Sequence, residues 1–175
     1  YVSGSRRLLA AETVDREGLG DALAQVEQSA ARAGEIIRRL RDMTQRGRSE
    51  TRLVDVAAAV REGLGLALVG SRELGVTTTT ELEAGLHAYI DAVQLQQVIL
   101  NLVRNAIEAM ADSARKELAI SVSHQGDDTL IRVTDSGDGL APGYMPHLFE
   151  AFATTKEKGF GLGLSICRTI LESHG

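Results

Sequence analysis

The chain has 175 residues, of which 43% are hydrophobic and 25% charged, as in a globular protein with one core or a core and an appendage. A net charge of −5 and an aromatic content of 3% argue against a nucleic-acid-binding surface. No stretch approaches about 18 consecutive apolar residues and no signal peptide is recognisable, so we expect a cytoplasmic chain without membrane contact, although a full-length protein could be anchored elsewhere. The single cysteine, Cys167, excludes an intrachain disulfide and favours a reducing compartment.

The first region, residues 1–48, is predicted to be a partial helical hairpin. Seven apolar residues are spaced alternately by four and three positions, which is typical of the seam of a helical bundle: Leu19, Leu23, Val26, Ala30, Ala33, Ile37 and Leu40. The composition changes at the segment QRGRSE, where we place the domain boundary. Because one and a half helices bury little apolar surface, the pattern predicts association with a second copy of the chain.

The second region, residues 49–175, has the pattern of a mixed helix and strand domain. TRLVDV, VTTTTEL and HAYI are predicted strands, and LAISVSH and TLIRVT are a predicted hairpin joined by QGDD. Predicted helices cover Val56–Val69 after the cap Asp55, Ala92–Met110 after the cap Asp91, and the end of the chain. We expect VTTTTEL and HAYI to form the other strand pair. The order of elements predicts an α+β sandwich with helices on one face of a sheet.

The long predicted helix carries a polar stripe along one side. Its members recur every three or four residues: Gln94, Gln97, Asn101, Asn105 and Glu108. A solvated face would explain such a stripe, but asparagine is a poor residue for a helix interior. Amide oxygens beside a carboxylate are also suitable ligands for Mg²⁺. From this helix alone, a solvated face and a ligand site remain open.

The segment VTDSGDGL follows a predicted strand and contains Asp135, Gly137 and Gly139. A tight turn is the simple interpretation. Alternatively, the glycines allow a flat ligand to approach the backbone, and the carboxylate of Asp135 accepts a hydrogen bond from an exocyclic amine.

A third motif, KEKGFGLGLSI, places Gly159, Gly161 and Gly163 directly before the last predicted helix. The free N–H groups and partial positive charge of a helix N-terminus favour phosphate, and glycine permits close approach. Lys156 and Lys158 precede the glycines and can reach anionic oxygens. A flexible linker is the alternative, and the spacing matches neither a Rossmann nor a Walker A motif.

These motifs, in this order, resemble those of the sensor histidine kinases. NLVRNAIEAM is similar to the N box, DSGDGL to the first glycine box, LFEAFATTK to the F box and GFGLGLSI to the second glycine box. SAARAGEIIRRLRDMTQRG resembles the second helix of the dimerisation and phosphotransfer hairpin of the oxygen-sensing and nitrogen-regulatory kinases. The resemblance implies the Bergerat-type α/β sandwich that these kinases share with the gyrase and mismatch-repair ATPases.

The resemblance also implies a role for each matched residue. Asn105 would bind Mg²⁺ and act with Asn101 as a catalytic residue, and Asp135 would accept the adenine amino group. The implied nucleotide-binding residues are Asn101, Arg104, Asn105, Glu108, Asp135, Gly137, Gly139, Thr155, Lys156, Gly159, Gly161, Leu162, Gly163 and Leu164. The segment between the two glycine boxes would be the lid of the ATP site.

The implied activity is transfer of the γ-phosphoryl group of ATP to a histidine, followed by relay to an aspartate of a response regulator receiver domain. None of the four histidines, His87, His124, His147 and His174, lies in the predicted hairpin. We therefore expect the phosphoacceptor upstream of Tyr1, further strands after Gly175, and no autophosphorylation by this chain alone. The alternatives are a superfamily ATPase in which the nucleotide drives dimer clamping, and a nucleotide-independent dimerisation module.

Overall fold

The computed structural model describes residues 18–30, 34, 50–154 and 161–175, and the chain divides into two compact units, residues 1–46 and 47–175. In the first unit, residues 18–30 and residue 34 are helical (α1). Leu23 of the predicted seam is 55% exposed. The seam positions Ala33, Ile37 and Leu40 lie outside the described residues. The hairpin assignment for residues 1–48 and its association with a second copy therefore stay predictions.

The second unit confirms the expected mixture of helices and strands. Its elements are β1 (Arg52–Asp55), α2 (Val56–Ala67), β2 (Thr77–Leu82), β3 (His87–Ile90), α3 (Ala92–Ala109), β4 (Glu117–Gln125), β5 (Asp128–Asp135), a 3-10 turn (Met145–His147) and α4 (Gly163–Glu172). Both predicted caps are present: the side chain of Asp55 accepts from the N–H of Ala58, and that of Asp91 accepts from the N–H groups of Val93 and Gln94. None of the helices within the described ranges is long and apolar enough to cross a membrane.

The strands form two small sheets, and one predicted pairing is wrong. VTTTTEL and HAYI, predicted to pair with each other, lie in different sheets: β3 pairs antiparallel with β1, whereas β2 pairs parallel with β4. The predicted hairpin of β4 and β5 is present and completes the order β2-β4-β5. Because β2 and β4 run parallel, a crossover connection must join them, and α3 lies within that connection.

The core lies where α2 and α3 pack beside the strands. Alternate residues of β4, Leu118, Ile120 and Val122, are buried, as expected for a strand with one face on a core. Gly63 of α2 allows these helices to approach closely, since a Cβ there would lie 3.2 Å from the Cβ of Ile99. Helix α2 therefore packs closely against the apolar face of α3.

Helix α4 packs on α3, and its C-terminal end is linked to the start of α3 by His174. The backbone N–H of Asp91 donates to Nε2 of His174 at 3.1 Å, and Nδ1 lies 2.9 Å from the carbonyl oxygen of Ile170. Because Nε2 accepts, Nδ1 carries the proton in this arrangement and donates to that carbonyl. This link helps to fix the position of α4 beside the stripe.

Candidate functional site

The polar stripe lies on α3, where its two asparagines, Asn101 and Asn105, are half-buried, whereas its Glu108 and the neighbouring Arg104 are exposed. Arg104 Nε lies 3.4 Å from Oε1 of Glu108, one turn further along the helix. An exposed pair of this kind contributes little to stability, so it leaves both side chains able to exchange partners with a ligand.

The loop after β5 contacts the C-terminal end of α3. The N–H of Gly137 donates to Oδ1 of Asp135 at 2.9 Å, which fixes one oxygen of an exposed carboxylate. A Cβ at Gly137 would lie 2.7 Å from the carbonyl oxygen of Ala109, so glycine is required for this approach. Gly139 has a φ of +76°, in the left-handed region that favours glycine. The structure therefore brings Asp135 to the last turn of α3.

The third glycine motif contacts the same helix one turn earlier. Gly163 is the first residue of α4, and a Cβ there would lie 3.6 Å from Nδ2 of Asn105. Among the residues that the structure describes, no side chain caps this helix, so its first-turn N–H groups can receive an anion. Asn105 and Ala109 are four residues apart, or about 6 Å along the axis of α3. The two glycine motifs therefore flank one short stretch of helix, with the carboxylate of Asp135 at one end and a helix N-terminus at the other.

Phe152, Ala153 and Gly161 form a contact close to the start of α4, which we call the loop junction. The N–H of Phe152 donates to the carbonyl oxygen of Gly161 at 3.0 Å. Gly161 has a φ of +62°, and a Cβ there would lie 2.2 Å from the carbonyl oxygen of Ala153. Phe152 itself has a φ of +69°, which is uncommon for a residue other than glycine. The junction thus sets where α4 begins.

Of the other predicted site residues, some lie outside the described residues and some lie within them. Thr155, Lys156 and Gly159 lie outside the described residues. Leu162 is only 1% exposed as a whole residue, so it offers a ligand almost no surface, and Leu164 is half-buried. The binding roles assigned to these and the other site residues stay predictions.

Sequence reasoning did not connect Cys167 with the stripe. Its thiol is 2% exposed and lies against α3, with Sγ 3.9 Å from the carbonyl oxygen of Val98. Burial raises the pKa of the Cys167 thiol from 9.0 to about 11, and a hydrogen bond with the Asn101 side chain opposes this rise. The only sequence indication was that Cys167 follows Ile166 in an amphipathic helix, which does not identify its partner.

We expect the buried thiol to make stability fall at high pH. The folded-state pKa is raised, so the thiol's contribution is complete below about pH 9 and is lost as the pH rises to about 11, where the unfolded chain holds the thiolate. A rise of about two pH units corresponds to roughly 2–3 kcal/mol. The free energy of unfolding in urea at several pH values from 8 to 11 measures this loss.

The matched control is Cys167→Ala, which keeps the tyrosines and lysines that also titrate in this range. We expect its stability to fall less steeply between pH 9 and 11 than that of the unsubstituted chain. If the free energy of unfolding fell equally steeply with pH in the two proteins, this would contradict a buried neutral thiol beside Asn101.

Ser136 was also missed, although it lies between two residues that were singled out. Its hydroxyl oxygen bonds the backbone of Arg115 and Glu117 at 2.7 and 2.9 Å. A hydroxyl in a glycine turn is too common for the sequence to have indicated these contacts.

Comparison with known proteins identifies a family for the part of the chain that contains these motifs. Residues 90–175 match the family described as histidine kinase-, DNA gyrase B-, and HSP90-like ATPase. The chain is 44% identical to the sensor protein FixL of Bradyrhizobium diazoefficiens and 31% identical to the C4-dicarboxylate transport sensor protein DctS of Rhodobacter capsulatus. These alignments cover 100% and 99% of this chain but 35% and 27% of the relatives, so the chain spans about a third of their length.

Solved structures with a similar fold include the catalytic domain of histidine kinase ThkA, with a TM-score of 0.64 and 30% identity over 71% of this chain and 82% of that one. Histidine kinase ThkA in complex with the response regulator protein TrrA gives a TM-score of 0.68 at 22% identity, over 99% of this chain and 48% of that one. The second likeness concerns the fold alone.

Proposed function

Since this chain belongs to the histidine kinase family and has the Bergerat ATP-binding fold of its catalytic domains, we propose that it binds Mg·ATP and presents the γ-phosphoryl group to a histidine. The observation that carries the proposal is the approach of both glycine motifs to the last turns of α3. Gly137 lies against Ala109, and Gly163 lies against Asn105. A nucleotide has a base and a phosphate chain. The carboxylate of Asp135, at one end of this stretch of α3, suits the base, and the N-terminus of α4, at the other end, suits the phosphates.

Asp135 is the proposed base-recognition residue. Its Oδ1 accepts from the N–H of Gly137, so the carboxylate has a fixed direction and its second oxygen can accept from the adenine amino group. A hydrogen bond to a charged acceptor is roughly twice as strong as one between neutral groups. This arrangement favours adenine over bases that lack an amino group at the same position.

The N-terminus of α4 is the proposed phosphate site. The first-turn N–H groups of a helix and its partial positive charge stabilise phosphate oxygens. Gly163 leaves the space above Asn105 free of a Cβ. We propose that Thr155, Lys156, Gly159, Gly161 and Leu164 complete this site, with Arg104 and Glu108 at its edge.

The amide of Asn105 fits Mg²⁺, a cation that takes oxygen ligands and shares them with phosphates. Bound there, Mg²⁺ would neutralise charge on the phosphate oxygens. Asn101 lies one turn earlier, and its amide cannot take a proton from water. An amide rather than a carboxylate at this position favours transfer to a histidine nucleophile over hydrolysis.

Phosphoryl transfer needs mainly positioning and charge stabilisation, which a site on a rigid helix can supply. The acceptor is proposed to be a histidine outside this chain. We further propose that residues 1–48 form part of a dimerisation hairpin, that a receiver domain accepts the phosphoryl group next, and that the chain works in the cytoplasm. The apolar spacing of the seam and the 55% exposure of Leu23 support a helical partner.

Calorimetric titration with ADP, with and without Mg²⁺, tests the proposal. We expect binding that is about tenfold tighter or more with Mg²⁺, and an Asn105→Ala variant that loses most of this difference. Gln96→Ala is the matched control, because this amide lies on the same helix but bonds Glu62 of α2 at 2.7 Å. We expect Gln96→Ala to bind as the unsubstituted chain does. No binding of ADP by the unsubstituted, folded chain would contradict the proposed function.

A further inference from the structure

Ser136 joins the end of β5 to the connection between α3 and β4. Its hydroxyl donates to the carbonyl oxygen of Arg115 at 2.7 Å and accepts from the N–H of Glu117 at 2.9 Å. Its backbone N–H donates to the carbonyl oxygen of Glu117 at 3.1 Å. Serine can make both side-chain bonds because a hydroxyl both donates and accepts.

These bonds continue the sheet beyond its last regular pair. Leu118 and Asp135 form the final pair of the β4–β5 ladder. One residue further on, the carbonyl of Glu117 still accepts from the backbone of Ser136, but the N–H of Glu117 donates to the Ser136 hydroxyl in place of a backbone carbonyl. The position of Asp135 is therefore fixed from both sides, by the ladder before it and by the serine after it.

The same hydroxyl lies beside the C-terminal end of α3. Ser136 Oγ is 3.4 Å from Sδ of Met110, which caps α3 and is fully buried. The next residue, Gly137, contacts the carbonyl of Ala109 and donates to the carboxylate of Asp135. Any shift of residue 136 would move both the carboxylate and the N–H that orients it.

We propose that Ser136 is a positioning residue that sets the carboxylate of Asp135 for recognition of the base, and so determines selectivity for adenine. The inference rests on the proposed function. Ser136 acts through Asp135 rather than through contact with the nucleotide. Without the hydroxyl, the turn loses one bond to Arg115, in the connection before β4, and one to Glu117, the first residue of β4, and the direction of the carboxylate is no longer fixed.

The test compares ADP with IDP, which has a carbonyl where adenine has its amino group. We expect Ser136→Ala to lower the affinity for ADP by about tenfold and to change that for IDP little, so the ratio of the two affinities falls. Ser136→Thr keeps the hydroxyl and should retain most of the ratio. Affinities come from calorimetry, and urea unfolding shows that each variant is folded. If Ser136→Ala does not fold, Ser136→Cys replaces it, since a thiol is a much weaker donor and acceptor of similar size.

Ser71→Ala is the matched control for a purely structural role. Its hydroxyl is buried and donates to the carbonyl oxygen of Leu68 at 2.8 Å, in the turn after α2. We expect Ser71→Ala to lower the free energy of unfolding and to leave the ratio unchanged.

The outcomes separate this inference from the proposed function. An unsubstituted chain that binds ADP and prefers it to IDP, with a Ser136→Ala variant that has the same preference, overturns the role of Ser136 and leaves the function intact. A chain that binds neither nucleotide overturns both. A lower ratio in Ser136→Thr as well as in Ser136→Ala would assign the effect to packing and also overturn the inference.

Discussion

Replacing Gly161 by alanine is expected to destabilise the domain and to weaken nucleotide binding strongly. The φ of +62° costs an alanine about 1–2 kcal/mol by itself. The new Cβ would also lie 2.2 Å from the carbonyl oxygen of Ala153 and 2.6 Å from the carbonyl carbon of Phe152, both of which are backbone atoms. The loop junction must therefore open, and the start of α4 must move away from Asn105. Urea unfolding and titration with ADP measure the two effects.

Gly163→Ala is the control, because the two glycines have different surroundings. A Cβ at Gly163 would lie 3.6 Å from Nδ2 of Asn105, which is an ordinary contact. Alanine is the better helix former by roughly 1 kcal/mol, so we expect stability to be kept or slightly increased. Binding of ADP should still weaken, since the methyl group occupies the space above Asn105. Equal destabilisation by the two substitutions would contradict the loop junction.

Replacing Asp135 by asparagine is expected to reduce the affinity for ADP by about 10- to 100-fold, the value of a hydrogen bond to a charged group. Asparagine has nearly the same shape and can still accept from the N–H of Gly137 through its oxygen. The free energy of unfolding should therefore change little. The amide nitrogen would face the adenine amino group as a second donor, and the preference for ADP over IDP should fall. Calorimetry with both nucleotides measures the change.

Asp138→Asn removes the same charge from the same turn and serves as the control. Asp138 is exposed and lies beyond Gly137, outside the contacts that orient Asp135. We expect the Asp138→Asn variant to bind both nucleotides as the unsubstituted chain does. A similar loss in both variants would show a general effect of charge rather than recognition by one carboxylate.

Much of the fold could be predicted from the sequence because its elements have strong local patterns. Helix α3 is one residue shorter than predicted, and α2 ends at Ala67 rather than Val69. Asp55 and Asp91 cap the helices that they were expected to cap. The hairpin of β4 and β5 was also predictable, since a short polar turn joins adjacent strands.

The pairing of β2 was not predictable in the same way. Its threonines favour a strand, but strand propensity does not select the partner. Thr77 lies opposite Glu117, with β3 and the whole of α3 between them in the chain. Adjacent predicted strands were therefore paired wrongly, because only the packing of α3 on the core brings β4 beside β2.

The sequence by itself determined the residue types of the site: the amide stripe of α3, Asp135 in its glycine turn, and the glycines before α4. The tertiary structure decided which of them meet. It distinguishes Gly161, which has no room for a Cβ, from Gly163, which has room. It also assigned partners to Ser136 and Cys167. Periodicity and turn chemistry depend on a few neighbouring residues, whereas close approach and hydrogen bonding depend on segments far apart in the chain that only the folded core brings together.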